Sequence, residues 1–240
     1  LVLDPVDLTV LQTSTNTLDE FGLDPRDVIG KPLDEILDPF QVDQFKAGLT
    51  EEKLDFINPV KVWVRREGDD YQVFDAIFHR SKEGLLILEL EPALTQENIP
   101  FLSFYHLARA SISQLESTAE LHAFCQVIVR EVRKVTGFDR VMLYRFDDDG
   151  RGEVVAEENS NWIRVIPDAT ATAVDLHPAE NPVTHQPTDL THSILRSAYP
   201  CHLEYLHNMG VGASLTISLM KDNKLWGLIA CQHHKHKYIK

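Results

Sequence analysis

Cysteine, long apolar runs and positive charge are all scarce in this chain, and each shortage removes a class of function. Three cysteines in 240 residues, an odd number at scattered positions, make no disulfide framework, so a reducing cytoplasmic setting is expected. No apolar run approaches the ~20 residues that span a bilayer, and the opening LVLDPVDL lacks a signal peptide's basic flank and apolar centre. The chain therefore reads as soluble. Lysine and arginine total 23 against 37 acidic residues, and the net charge of −14 argues against nucleic acid or an anionic membrane as partner. A local basic pocket can still hold a small anion. There is no initiator Met, the first residues read as a strand, and the closing TyrIleLys has no evident cap, so a piece of a longer protein is expected.

What is present suits an ordinary globular core: 43% of the residues are apolar. Asp24 before Pro25 is an N-cap with proline at N1, and Gly30 closes that short helix. Three β-rich runs follow, Val60 to Arg65, Tyr71 to His79 and Leu85 to Leu90, separated by the turn compositions GluGlyAspAsp and SerLysGluGly. An antiparallel meander is expected, in an α+β sensor-like domain that ends in a linker near residues 91–98. No nucleotide loop or metal-ligand spacing occurs there.

From Phe101 the apolar period changes to about 3.6. Phe104, Tyr105, Ala108, Ile112 and Leu115 form one stripe, and Leu121, Phe124, Cys125, Ile128, Val132 and Val135 a second. Ser117 and Glu120 have capping-box spacing between them, and Gly137 is a C′ residue. Cys125 belongs to the packing stripe. Strands resume at Arg140 to Phe146 and Glu153 to Ala156 around the turn AspAspAspGly, which lacks the glutamate of a calcium loop. A proline- and threonine-rich stretch, Ile166 to Leu190, is long for a connection within a compact domain, and such loops usually have a job. In Ala213 to Met220, Leu215, Ile217 and Leu219 alternate with Ser214, Thr216 and Ser218, giving one greasy and one hydroxyl-lined face. The hairpin LysAspAsnLys returns the chain along Leu225 to His233.

Candidate chemistry centres on THSILRSAYPCHLEYLHNMG, residues 191–210. A thiol at a helix N-terminus is biased toward thiolate by unpaired N–H groups, and Pro200 is a common helix starter, so Cys201 is a candidate nucleophile. A half-buried structural cysteine is an equally simple reading of the local sequence. A zinc site built from His233, His234 and His236 with His202 and Cys201 is disfavoured, because adjacent strand residues point to opposite faces. A Cys/His hydrolase would need an orienting residue and an oxyanion hole, and the sequence marks neither.

The residues around Cys201 also carry a family likeness. SILRSAYPCHLEYLHNMGVGASLTISL, followed by LWGLIAC, resembles the chromophore-binding GAF domain of cyanobacterial phytochromes, as do TGFDRVMLYRFDDDG, IRVIPD and DLTHSILRS before it. VFDAIFHR, LELEP and PFLSFYH are similar to the PAS domain of the same proteins. The resemblance implies two α+β domains, PAS over 1–95 and GAF over 96–240, each an antiparallel sheet flanked by helices. It implies a red/far-red photoreceptor in which Cys201 adds covalently to ring A of a linear tetrapyrrole and ring D photoisomerises. By the same resemblance Arg164 and Arg196 pair with the bilin propionates, and Ser214 and Thr216 supply hydroxyl donors. His202 approaches the pyrrole nitrogens, Tyr144 and Tyr205 lie near ring D, and Gln232 stands where the family has its ring D histidine, with His233 beside it.

Attachment through a GAF cysteine points to phycocyanobilin rather than biliverdin, with phytochromobilin as the other GAF-cysteine bilin. A homodimer is implied, with PHY and kinase domains or a response regulator downstream in the parent. For this span no enzymatic activity is expected beyond autocatalytic bilin attachment, since no ATP-binding or phosphoacceptor segment is identifiable. Near Glu158 to Asn161 the chain is shorter than the family by ~25 residues, too many for the trimming of a structured segment. The family's ProAlaSerAspIlePro-like motif falls in that gap, and its aspartate helps hold the protonated bilin, so weakened switching is implied. The segment before the PAS domain, the last GAF helix, the PHY domain and any kinase also lie outside this span. The rival reading is a PAS/GAF module that senses a small ligand such as haem or a nucleotide, or that dimerises, with Cys201 a bystander.

Overall fold

Alternation in the first ninety residues sorts side chains onto two faces of a sheet. Val62 and Val64, Phe74, Ala76 and Phe78, and Leu86 and Leu88 are buried together on one of them. The computed structural model describes residues 1–49, 58–65, 71–93, 121–146, 163–222 and 224–238. Its strands are β1 (Val2–Leu3), β2 (Val10–Ser14), β3 (Val60–Arg65), β4 (Tyr71–Arg80), β5 (Leu86–Pro92), β6 (Arg140–Arg145), β7 (Ile163–Ile166), β8 (Leu176–His177), β9 (Ala213–Lys221) and β10 (Lys224–His233). The helices are α1 (Thr17–Phe21), α2 (Pro25–Val28), α3 (Pro39–Gly48), α4 (Leu121–Thr136) and α5 (Pro200–Asn208). The stripe at Phe104 to Leu115, the Ser117 and Glu120 box, the strand at 153–156 and the short segment near 158–161 lie outside the described residues. Among the described residues no helix is long and apolar enough to cross a membrane.

Two compact units result: Leu1–Thr95 with Ala173–Ser197, and Gln96–Thr172 with Ala198–Lys240. The linear boundary at 95/96 is therefore crossed once, by a loop that packs in the first unit. That unit has one antiparallel sheet in the order β3-β4-β5-β1-β2-β8. Its apolar face meets Phe21, Val28, Leu33, Ile36, Val42 and Phe45, with Phe21 edge-on to Phe74 at 5.1 Å and Phe45 tilted on Phe78 at 5.2 Å. Asp24 caps α2 as its residue type predicts, accepting the N–H of Arg26 at 2.9 Å.

The other face of that sheet carries the loop 173–197. Gln12, fully buried, donates from Nε2 to Pro178 O at 2.7 Å, and its Oε1 accepts from Asn181 Nδ2 at 2.9 Å and from the Thr188 hydroxyl. The long stretch singled out in the sequence thus covers a sheet face, and buried polar groups on both sides find each other there.

Glu91 shares this face and lies directly opposite Asp75 in the β4/β5 register. Burial first, and then the Asp75 charge, push the Glu91 carboxyl above its ordinary value. Its ionised form is disfavoured in the fold, so the penalty grows as pH rises through the raised folded value and vanishes at pH below the unfolded one. Glu91→Gln is expected to stabilise the unit by ~0.5 kcal/mol at pH 7, after allowance for solvent screening, and to lose that advantage below about pH 4. Urea midpoints of wild type and variant across pH 3.5–8 check this.

In the second unit β6-β10-β9-β7 form an antiparallel sheet. Ile128 and Val132 of α4 pack on the face bearing Leu215, Ile217, Ile229 and Cys231. Leu121 and Val135, expected on the same stripe, are exposed. A 16-residue helix is ~24 Å long and overhangs the ~20 Å of the six-residue β6 that it packs against. Gly137 ends the helix at φ 65°, its N–H on Arg133 O.

Candidate functional site

Strand register decides which polar residues can act together. Gln232 lies opposite Ser214, and Ser214 opposite Ile166; Ala230 lies opposite Thr216, and Thr216 opposite Arg164; Tyr144 lies opposite Leu228. Residues directly opposite share a face and alternate residues repeat it, so Tyr144, Arg164, Ser214, Thr216 and Gln232 all stand on the face away from α4. Ser214 is buried, Arg164, Thr216 and Gln232 are half-buried, and Tyr144 is 49% exposed.

Helix α5 is built for this same face. Leu203 and Leu206, three residues apart, join Val211, Ala198 and Ala169 around Ile166, so one side of the helix is anchored. Cys201, His202 and Tyr205 are left exposed, with the His202 and Tyr205 rings 6.2 Å apart. Cys201 is the second residue of the helix, after Pro200.

The three cysteines have separate environments. Cys201 is exposed, Cys125 is half-buried on α4, and Cys231 is buried, its thiol pushed up to about 11 by desolvation. Only Cys201 is openly placed to meet an electrophile.

Two of the predicted residues stand apart from this set. His233, next to Gln232, turns to the α4 side, where its Nδ1 lies 2.8 Å from Asp139 Oδ2 and its ring meets Phe138 edge-on. The Asp139 carboxyl is held below its usual range, chiefly by the His234 backbone N–H at 3.1 Å and then by electrostatic interaction with His233, His234 and Lys237. Arg196 belongs to the first unit, where its Nε is buried without a hydrogen-bond partner among the described residues. Sequence reasoning missed Glu89, His79 and Ser193 near Arg196: in LILELEP an acidic residue at alternate spacing reads as solvent-facing, yet Glu89 is buried.

The surfaces left open fit a long conjugated tetrapyrrole with apolar faces and two carboxylates. In the second unit Tyr144, Tyr199 and Tyr205 are 49%, 69% and 57% exposed, and the hydroxyl row lies on the same face as Tyr144. The exposed Cys201 thiol stands on α5, the helix anchored to that face through Ile166.

The PAS fold family matches residues 1–93 and the GAF domain family residues 120–238. Cyanobacterial phytochrome A of Nostoc sp. is 58% identical and a phytochrome-like protein of Synechocystis sp. 49%, each over all of this chain. Both alignments run over 265 positions, 25 more than the chain has residues. The chain spans about a third of the length of these relatives, 35% of each. Among solved structures, the chromophore binding domain of Stigmatella aurantiaca phytochrome P1 superposes with a TM-score of 0.88 at 37% identity, covering 100% of this chain and 86% of that one. The chromophore-binding domain of a bacteriophytochrome from R. palustris superposes at 0.85 with 30% identity, covering 100% and 84%. By its identity to these proteins over its whole length and its superposition on their chromophore-binding domains, this chain belongs to the phytochrome family.

Proposed function

We propose that the chain is the bilin-binding PAS–GAF region of a red/far-red photoreceptor and that phycocyanobilin is its chromophore. The observation that carries this reading is the exposed Cys201 on α5, a helix anchored through Ile166 to a sheet face bearing Arg164, Ser214, Thr216, Gln232 and Tyr144. Identity of 58% to a cyanobacterial phytochrome supports the choice of bilin.

Cys201 would hold the bilin covalently, its sulfur adding to the ring A ethylidene and its proton to the other carbon of that double bond, so that nothing would leave. By the family likeness Arg164 and Arg196 would each hold a propionate by charge-assisted hydrogen bonds, and Ser214 and Thr216 would add neutral donors. His202 would orient the pyrrole nitrogens, Tyr144 and Tyr205 would lie near ring D, and Gln232 could donate to its carbonyl without changing charge near neutral pH. When bound, the bilin supplies visible absorption and an isomerisable double bond. His233, the other residue of the assigned set, meets Asp139 on the opposite side of the sheet. In the full-length protein a homodimer carries the signal to PHY and histidine kinase domains in the cytoplasm.

Co-expression with a phycocyanobilin pathway tests the reading. The purified protein should be coloured, with a red-absorbing band that falls under red light as a far-red band rises. The size of that difference measures how well the pocket switches with the 25 positions absent. A colourless protein would refute the reading.

A further inference from the structure

Helix α5 carries Cys201 near its first residue and is tied down at its last. Gly210, at φ 66°, turns the chain out of the helix, its N–H on His207 O and the Val211 N–H on Leu206 O, both at 2.9 Å. Only Met209 to Gly212 then separate α5 from β9. That junction lies against the end of β10: the Gly212 N–H donates to His233 O at 2.8 Å, and a Cβ on Gly212 would lie 2.7 Å from Lys235 C and 2.8 Å from His234 O. His234 adds a side-chain bond, its Nδ1 lying 3.2 Å from Gly210 O; a carbonyl only accepts, so Nδ1 is the nitrogen that carries the hydrogen. At the other end of the helix Tyr199 makes no side-chain capping bond, and the hold is apolar, from Ala198 and Leu203.

Asp139, just before β6, holds the strand end against which this junction rests. Its Oδ2 accepts the His234 N–H at 3.1 Å and lies 2.8 Å from Nδ1 of His233, so one carboxylate oxygen meets the last residue of β10 and the residue after it. The chain beyond stays at the same turn: the Lys237 N–H donates to Pro167 O at 2.8 Å, and its Nζ lies 5.9 Å over the Phe138 ring. Every one of these residues belongs to the second unit. We propose that Asp139, through His234 and Gly210, is a positioning residue that sets the tilt of α5 and so aims the Cys201 sulfur at the ring A ethylidene, an inference that rests on the bilin-binding reading above. Nine helical residues make a stiff arm of ~13 Å, so a swing of ~10° about the Gly210 end carries Cys201 by ~2 Å. Misplacement on this scale slows capture of a bound reactant without weakening its binding. In the captured step an S–C and a C–H bond form as the S–H bond and the π bond of the ethylidene break, and nothing leaves.

Asp139→Ala removes both contacts of the carboxylate, and His234→Ala removes only the ring bond to Gly210, so the second variant decides the matter should the first unfold. On mixing the bilin-free protein with phycocyanobilin, the limiting rate of covalent attachment should fall about tenfold in Asp139→Ala and about fivefold in His234→Ala, while the half-saturating concentration changes less than about twofold. Asp139→Asn keeps an acceptor for the His234 N–H and should stay within about threefold of wild type. The double alanine variant should lose no more than Asp139→Ala alone, because both residues act along one path. Alkylation of Cys201 by iodoacetamide, followed by mass spectrometry of the modified peptide, should keep its wild-type rate throughout, since a small diffusing electrophile needs no fixed approach. Wild-type limiting rates in the folded alanine variants overturn the inference alone. So does an equal fall in alkylation, which would mark a change in the thiol itself, or a loss seen only in half-saturation. Failure of wild type to take up phycocyanobilin at all overturns the bilin reading together with the inference.

Discussion

Cys201→Ala is expected to abolish covalent attachment completely: after incubation with phycocyanobilin, the denatured variant should show no zinc-fluorescent band. Neither remaining thiol can substitute. Cys125 is half-buried on α4, and Cys231 is buried with its thiol pushed to about 11, so about one molecule in a thousand is thiolate at pH 8. Non-covalent uptake should persist, because the arginines and hydroxyls assigned to the bilin are untouched. Stability should stay within ~0.5 kcal/mol of wild type, since an exposed side chain is being trimmed. A band of undiminished intensity in the variant would show that attachment occurs elsewhere.

Gly227→Ala is expected to cause the largest loss of stability from a single methyl group. Gly227 on β10 pairs with Arg145 on β6, and a Cβ there would lie 2.4 Å from the Tyr144 carbonyl oxygen. That atom is backbone, held in a ladder, and cannot rotate away. The contrast with Gly22 is instructive: Gly22 needs φ +77° but has open space around it, whereas Gly227 needs space alone. A cost of ~3 kcal/mol is expected for forcing the strands apart, which in urea moves the midpoint of the second unit's transition down by ~1–3 M. Because the chain has two compact units, the second unit needs its own probe, and Trp226 beside the substitution provides a fluorescent one. A shift below ~0.3 M would mean that β6 accommodates the methyl group. As β6 also carries Tyr144, bilin binding should weaken together with the fold.

The assigned site residues differ in how readily they could be read from the chain. Ser214 and Thr216 were legible because strand alternation is a local property, and their place on one face with Arg164 follows once β7 and β9 are paired. Cys201 was legible from Pro200 and the helix that follows. His233 shows the limit of such reading: next to Gln232 in sequence it looked like a neighbour in the pocket, but one step along a strand reverses the face, and Asp139 holds it there.

By itself the sequence determined the strands at 60–65, 71–80, 86–92, 140–145, 213–221 and 224–233, the Asp24-capped α2, the hydroxyl face and the family, because periodicity, capping and motif are written within a few residues of one another. Only the tertiary structure decided that residues 173–197 pack on the first unit's sheet and that Glu89 is buried beneath the approach to Arg196. Gln12 meets Asn181 across 169 positions and Glu89 meets Ile194 across 105. Such partners satisfy one another's buried hydrogen-bonding groups only after the chain has closed those loops, and no local pattern records which polar residue will lose its water.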